Sequence, residues 1–143
     1  YGHLIKNLAI QSLKKNPKIF IYGNDYKTKD GTCVRDYIHV SDISDIHYKI
    51  LLKIDKNHNS QILNCGYGKG ISVNDVIKEF SKYANKNLKI RNFPKRKGDM
   101  IKVIGDNKRL KKFINWKPNY NTLGKIVRTC LNWEKNLKKY EKL

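Results

Sequence analysis

The sequence predicts a mixed α/β fold on three observations: apolar residues recur at helical spacing in several stretches, short extended stretches alternate with them, and no repeat or long linker interrupts the alternation. No complete doubly wound sheet is visible, because its strands need near-continuous Val/Ile/Leu runs and the strands here are short and partly polar. A chain of 143 residues suits one domain with a buried core, or part of one, and is too short for separate cofactor and substrate domains.

The elements follow in order. Leu4, Ile5, Leu8, Ala9 and Leu13 lie on one helical face, stopped by Lys14 to Pro17. Lys18 to Tyr22 is extended, and Gly23 to Thr32, rich in turn formers, predicts a surface loop. Arg35 to Val40 alternates polar and apolar residues as a strand does. Ser41 is placed to cap a helix whose Ile43, Ile46, Ile50, Leu51 and Ile54 form a core stripe, broken at Asn57 to Ser60. Gln61 to Cys65 reads as a strand. A Gly66-Tyr67-Gly68-Lys69-Gly70 turn then leads to a helix capped by Ser72 with Asp75 in capping-box position, burying Val73, Val76, Ile77, Phe80 and Ala84. Leu88 to Phe93 is a further strand, Pro94 to Asp99 a basic turn, and Asp106 caps a short helix ending near Asn115. Thr122 opens the last helix, with Leu123, Ile126, Val127, Cys130 and Leu137 inward and a Lys-rich end that frays.

A formal charge of +19 would draw polyanions. The cations are mostly Lys, however, dispersed along the chain without a dense stripe or Arg–aromatic interleaving, so specific nucleic-acid binding is not expected. Cys33, Cys65 and Cys130 form no CxxC, and His3, His39, His47 and His58 form no paired-ligand spacing, so neither disulfides nor a metal site is expected. No stretch approaches a membrane span and no signal-peptide pattern appears. A soluble, cytoplasmic protein is the expectation. The start at Tyr1, running straight into a helix, suggests a fragment of a longer protein.

Two stretches suit an anionic ligand. In Thr32 to Val40, alternation puts Arg35, Tyr37 and His39 on one side of an extended strand, and a guanidinium beside a phenol suits a phosphate ester. The same spacing equally allows Arg35 to pair with Asp36 or Asp42 as a surface ion pair. In Pro94-Lys95-Arg96-Lys97-Gly98-Asp99, Arg96 suits a diphosphate and Asp99 a ribose diol, unless the turn is merely a solvated loop. The glycine run Gly66 to Gly70 fits neither the dinucleotide nor the P-loop pattern. No Tyr is followed four residues later by Lys, and no GxSxG nucleophile is present.

Taken together, Ile21-Tyr22-Gly23-Asn24-Asp25-Tyr26 through Asp30-Gly31-Thr32-Cys33-Val34-Arg35-Asp36-Tyr37-Ile38-His39-Val40 closely resembles the middle signature of bacterial UDP-glucose 4-epimerases, members of the extended short-chain dehydrogenase/reductase family. The resemblance continues in register through Leu63 to Val73, Arg96-x-Gly98-Asp99, Asn115-Trp116-Lys117-Pro118 and a closing helix with Trp133. It implies the C-terminal substrate-binding lobe of that fold, without the N-terminal Rossmann part that carries the glycine-rich loop and the Ser and Tyr-x-x-x-Lys groups. The family interconverts UDP-glucose and UDP-galactose by transient oxidation at C4 with bound NAD, in an enzyme that is commonly a homodimer.

The resemblance assigns roles to residues of this chain. His3 and Leu4 would begin the UDP site, and Phe20, Ile21 and Tyr22 would run beside the uracil. Arg35 and Arg96 would take the diphosphate with Tyr37 nearby, and Asp99 would accept from the ribose. NAD would be held mainly by the part not present. Tyr22 stands where Phe is more usual, and Val103 where some members carry Tyr. Because the Tyr-x-x-x-Lys pair is absent, the purified 143-residue chain is expected to show no turnover of UDP-galactose; measurable epimerisation by it would contradict this reading.

Overall fold

A computed structural model describes residues 3–54 and 60–140. Helix α1 (Leu4–Ser12) forms on the predicted apolar period, and the chain then turns into β1 (Lys18–Tyr22) across Pro17. Only alternate residues of β1 are buried, so Ile19 and Ile21 face inward while Lys18, Phe20 and Tyr22 face out. Strand β1 pairs in parallel with a strand far along the chain, Lys89–Phe93, setting Lys18 opposite Lys89 and Tyr22 opposite Phe93.

Helices cover the inner face of this pair. Leu8 and Ala9 of α1 meet Val76, Ile77 and Phe80 of the helix Val73–Ala84 and Val127 and Leu131 of the helix Leu123–Tyr140 around Ile19, Ile21 and Leu88. Burying each large aliphatic or aromatic side chain here contributes about 1.5–3 kcal/mol. A second cluster joins Ile46, Tyr67, Leu110, Ile114, Trp116 and Ile126. The closing helix is shared, because Ile126 enters the second cluster and its neighbour Val127 the first.

In chain order the elements are α1, β1, β2 (Val34–Arg35), α2 (Val40–Lys53), β3 (Ile71–Ser72), α3 (Val73–Ala84), β4 (Lys89–Phe93), β5 (Lys102–Val103), α4 (Lys108–Phe113) and α5 (Leu123–Tyr140). A small second sheet runs β3-β2-β5, with β2 antiparallel to β3 and parallel to β5.

Several elements differ from the sequence expectation, each for a local reason. The strand expected over Arg35 to Val40 ends after Arg35, because the Asp36 carboxylate turns to accept the backbone N–H groups of Tyr67, Gly68 and Gly105. His39 rather than Ser41 caps α2, its Nδ1 accepting from the Ser41 N–H at 3.0 Å. Gln61 to Cys65 belongs to neither sheet; Leu63 and Cys65 pack on the second cluster while Ile62 is 84 % exposed. Leu51 and Ile54, expected in the core, are exposed. In the expected break of α2, residues 57–59, and with them His58, lie outside the described residues. At α4 the capping position is Asn107, although the Asp106 side chain does accept from the Lys108 N–H. Leu131 and Glu134 are buried on α5 beyond the expected face, and the helix runs to Tyr140.

The loop from Gly23 to Thr32 is a loop but is not simply a surface one. The Asp30 carboxylate accepts from the Thr32 N–H and hydroxyl and from Ser72 Oγ, and Tyr26 and Thr32 are buried. Gly31 has φ +78°, and a Cβ there would lie 2.1 Å from the Asn24 carbonyl oxygen, so the tight turn needs glycine.

Asp42, buried in the first turn of α2, ties that helix to two segments far along the chain. Its carboxylate accepts from the Tyr67 hydroxyl and from the Asn119 and Tyr120 N–H groups. Burial alone would raise its pKa, but the three donors hold it below the usual carboxylate range. A depressed folded-state pKa stabilises above the unfolded value of about 4, and that contribution is lost as pH falls through the folded value. Asp42→Ala, which strands the buried Tyr67 hydroxyl and removes the acceptor of two part-buried N–H groups, is expected to cost about 1–3 kcal/mol at neutral pH, with the gap to the parent narrowing below about pH 4. Urea unfolding across that pH range measures it.

Candidate functional site

The outward residues of β1 and the register of its partner build an aromatic shelf. Phe20 meets Phe93 edge to face and Tyr22 stacks on it, each with ring centroids 5.5 Å apart. Phe20 and Tyr22 nonetheless stay 46 % and 38 % exposed, so their rings are open to a ligand. The Arg96 guanidinium carbon lies 3.8 Å from the centre of the Tyr22 ring, a stacked cation.

The segment that carries Arg96 is strapped down on its far side. The Lys95 ammonium donates to the Asp25 carboxylate at 2.9 Å and to the Asp25 carbonyl, and lies over the Tyr26 ring. A turn closed by Asp99 N–H donating to the Arg96 carbonyl, with Gly98 at φ +86°, returns Asp99 toward Arg35. Arg35 Nη2 and Asp99 Oδ1 stand 3.9 Å apart. Arg35 does not pair with Asp36 or Asp42, because both carboxylates are engaged by the donors already described. The two basic stretches therefore meet across one opening.

That opening is a cavity of about 610 Å³. All nine residues singled out from the sequence line it: His3, Leu4, Phe20, Ile21, Tyr22, Arg35, Tyr37, Arg96 and Asp99. Ile21 is itself a core residue and closes the wall, so Phe20 and Tyr22 form the open part of the shelf. Burial pushes the Tyr37 phenol up to about 12, against an opposing pull from Arg35, so at neutral pH it is a protonated donor. Lys18 and Cys33 also line the cavity and escaped the sequence reading. Lys18 was detectable in principle, since it shares the outward face of β1 with Phe20 and Tyr22.

His39, expected on the same side as Arg35 and Tyr37, is turned away by the end of β2. Its Nε2 meets Thr129 Oγ1 at 2.8 Å and its ring stacks on Tyr120 at 4.2 Å. Burial pushes its pKa down despite the opposing Asp42. Together with its cap of α2, this makes His39 a clamp between helices α2 and α5.

The glycine run Gly66 to Gly70 is filled by the chain itself. A Cβ at Gly66 would lie 2.6 Å from Asp36 Oδ2, and one at Gly70 2.5 Å from the Ile104 side chain. These glycines allow close internal packing, and among the described residues they do not form an open cradle for a dinucleotide.

Comparison with known proteins places the architecture. The GDP-mannose 4,6 dehydratase family model matches residues 2–129. The chain belongs to this family. It is 38 % identical over 135 residues to the UDP-glucose 4-epimerase of Azospirillum brasilense, a match covering 94 % of this chain and 39 % of that protein. The solved UDP-Glc/GlcNAc 4-epimerase of Campylobacter jejuni is 40 % identical with a TM-score of 0.84, over 95 % of this chain and 42 % of that one. The UDP-glucose 4-epimerase of Stenotrophomonas maltophila, solved with NAD and formylated UDP-arabinopyranose, superposes with a TM-score of 0.91 at 29 % identity, over 98 % and 41 %. The chain thus corresponds to a C-terminal lobe of the extended short-chain dehydrogenase/reductase fold and spans well under half the length of these relatives.

Within this lobe Tyr37 is expected to remain un-ionised until about pH 12. Ultraviolet difference titration of the chain against its Tyr37→Phe variant should therefore show no Tyr37 phenolate signal near the ordinary tyrosine value of about 10.

Proposed function

We propose that residues 1–143 are the UDP-sugar-binding lobe of an NAD-dependent UDP-glucose 4-epimerase that interconverts UDP-glucose and UDP-galactose. The observation that carries this reading is the convergence of two basic stretches, distant in sequence, on one cavity floored by exposed aromatic rings.

The chemistry supports each role. The diphosphate lies between Arg35 and Arg96, whose planar guanidinium groups can bind phosphate oxygens in pairs. The Arg35–Asp99 contact at 3.9 Å is long and part-exposed, the kind of pair that contributes only about 0–1 kcal/mol. An incoming diphosphate therefore displaces little stabilisation when it takes over Arg35. Asp99, so released, accepts from the ribose hydroxyls. The uracil lies along Phe20 and Tyr22, Tyr37 donates its hydroxyl to the anion, and His3 and Leu4 close the entrance beside α1. NAD is held mainly by residues outside this chain, in keeping with the filled glycine run. The parent enzyme on this reading is cytoplasmic and homodimeric, and the lobe alone is inactive.

A second reading keeps the UDP site and changes the sugar. It is favoured by the resemblance to the UDP-Glc/GlcNAc 4-epimerase of Campylobacter jejuni and by 40 % identity over 119 residues to UDP-arabinose 4-epimerase 1 of Arabidopsis thaliana, of which the match covers 28 %.

Titration calorimetry with UDP, ADP and inorganic diphosphate tests the site. Selective binding of UDP is expected, and Arg96→Ala should weaken it by about 1.5–3 kcal/mol, the range for a lost charged hydrogen bond. Unselective binding that vanishes with salt would instead mark a generic polyanion surface, and an unchanged affinity in Arg96→Ala would reject that residue's role.

A further inference from the structure

Lys95 and Arg96 are neighbours in the chain with different partners. Adjacent side chains of an extended segment point to opposite sides, and here Arg96 lies over the Tyr22 ring while Lys95 reaches the loop from Gly23 to Thr32. Among the described residues the Arg96 guanidinium makes no hydrogen bond or ion pair, so stacking on Tyr22 is all that holds its tip.

Lys95, by contrast, is held three times over. Its ammonium donates to the Asp25 carboxylate at 2.9 Å and to the Asp25 carbonyl at 3.1 Å, and stands 4.8 Å from the centre of the Tyr26 ring. The backbone is shaped to admit this. Gly23 has φ +80°, and a Cβ there would run into the Tyr26 ring and lie 2.8 Å from Lys95 Cγ, so glycine is what lets the ring and the lysine stem meet. The Gly23 N–H donates to the Phe93 carbonyl at 2.8 Å, which carries the β1–β4 pairing to the point where the loop begins.

The loop is in turn closed on itself. The Tyr26 N–H donates to the Gly31 carbonyl at 2.9 Å and Thr28 Oγ1 to the Thr32 carbonyl at 2.8 Å, and Asp30 ties the loop end to Ser72. Shortly after Thr32 the chain reaches Arg35 in β2, so one closed loop stands at the root of both arginines.

We propose that Lys95 is a positioning residue for anion binding. Together with Gly23, Asp25 and Tyr26 it presets Arg96 relative to Arg35, so that the two guanidinium groups are in place before a diphosphate arrives; that use of the pair rests on the ligand reading above. A long side chain that its ligand must first order binds more weakly than one already placed. An exposed ion pair and a cation–π contact are each modest, and together they correspond to about a three- to tenfold change in affinity.

Nuclear magnetic resonance and calorimetry with UDP, both on the 143-residue chain, test this. Without ligand, the Arg96 side-chain protons of the parent are expected to be shifted upfield by the Tyr22 ring, and Lys95→Met should remove most of that shift. UDP affinity should fall about three- to tenfold in Lys95→Met and stay within about twofold of the parent in Lys95→Arg, which keeps a cation for Asp25 and Tyr26. In an Arg96→Ala background Lys95→Met should add nothing, because a positioning residue acts only through the group it positions. An unshifted Arg96 in the parent, an Arg96 shift and UDP affinity unchanged by Lys95→Met, failure of Lys95→Arg to rescue, or an equal loss in the Arg96→Ala background would overturn the proposal. Asp25→Asn, at a side chain 69 % exposed, should act in the same direction and decides the question if Lys95→Met does not fold. The proton shift needs no ligand, so a chain that fails to select UDP would sink the ligand reading and leave Lys95 to be judged by the shift.

Discussion

The parallel pairing of β1 with β4 is the constraint from which the rest of the site follows. It brings Lys18 to Tyr22 beside Lys89 to Phe93, far along the chain, and this register sets Phe93 against both Phe20 and Tyr22. The turn after β4 then has no choice but to cross the shelf, which is how Arg96 comes to rest on Tyr22 and Asp99 to face Arg35. Parallel strands cannot be joined by a tight turn. Their intervening chain supplies β2, α2, β3 and α3, and the small sheet that β2 and β3 form with β5, which follows β4, presents Arg35 to the cavity.

Two carboxylates, the buried Asp42 and the half-buried Asp36, hold the irregular stretches that this topology leaves over. Asp36 gathers backbone donors from the turns at Gly66 to Gly68 and at Gly105, and it does so from a position between the two cavity residues Arg35 and Tyr37. Asp42 gathers Tyr67 and the segment before α5. A carboxylate withdrawn from water is stable only where donors replace its lost hydration, and here backbone N–H groups and, for Asp42, the Tyr67 hydroxyl do so. The arrangement explains why the cavity wall ends as a strand at Arg35 and continues as a pinned loop. It also explains why the acidic neighbours of Arg35 leave its guanidinium available to the cavity.

The division of labour within the lobe is consistent with a binding role. The polar and aromatic side chains of β1 and of the strapped turn meet the cavity from one side, and α1 closes another with Leu4, Ile5 and Leu8, while Val76, Ile77, Phe80, Val127 and Leu131 of α3 and α5 pack in the core. Holding recognition groups on packed elements reduces the ordering that a ligand must impose on binding. The outward face of α2 stands apart from this logic, being apolar and exposed among the described residues.

Much of this was legible in the sequence. Helical periods located α1, α3 and α5 because their apolar faces are local and regular, and β1 and β4 were legible from short extended runs bounded by turn formers. Nine of the residues that line the cavity were found through motif resemblance combined with the chemistry of Arg, Tyr and Asp at those spacings. What the sequence could not decide depended on partners remote in the chain. The end of β2, the turning away of His39 and its capping of α2 follow from Asp36 and Thr129 contacts that no local pattern encodes. The apolar residues of α2 and Gln61 to Cys65 read as core and strand by composition, yet composition is blind to whether a neighbour is there to cover them. The sequence by itself determined which segments were helical, that β1 and β4 run extended, and where the two basic stretches lie, because these are properties of local spacing and composition. Only the tertiary structure decided that the two basic stretches share one cavity, because that rests on strand register and on remote donors that engage the Asp36 and Asp42 carboxylates.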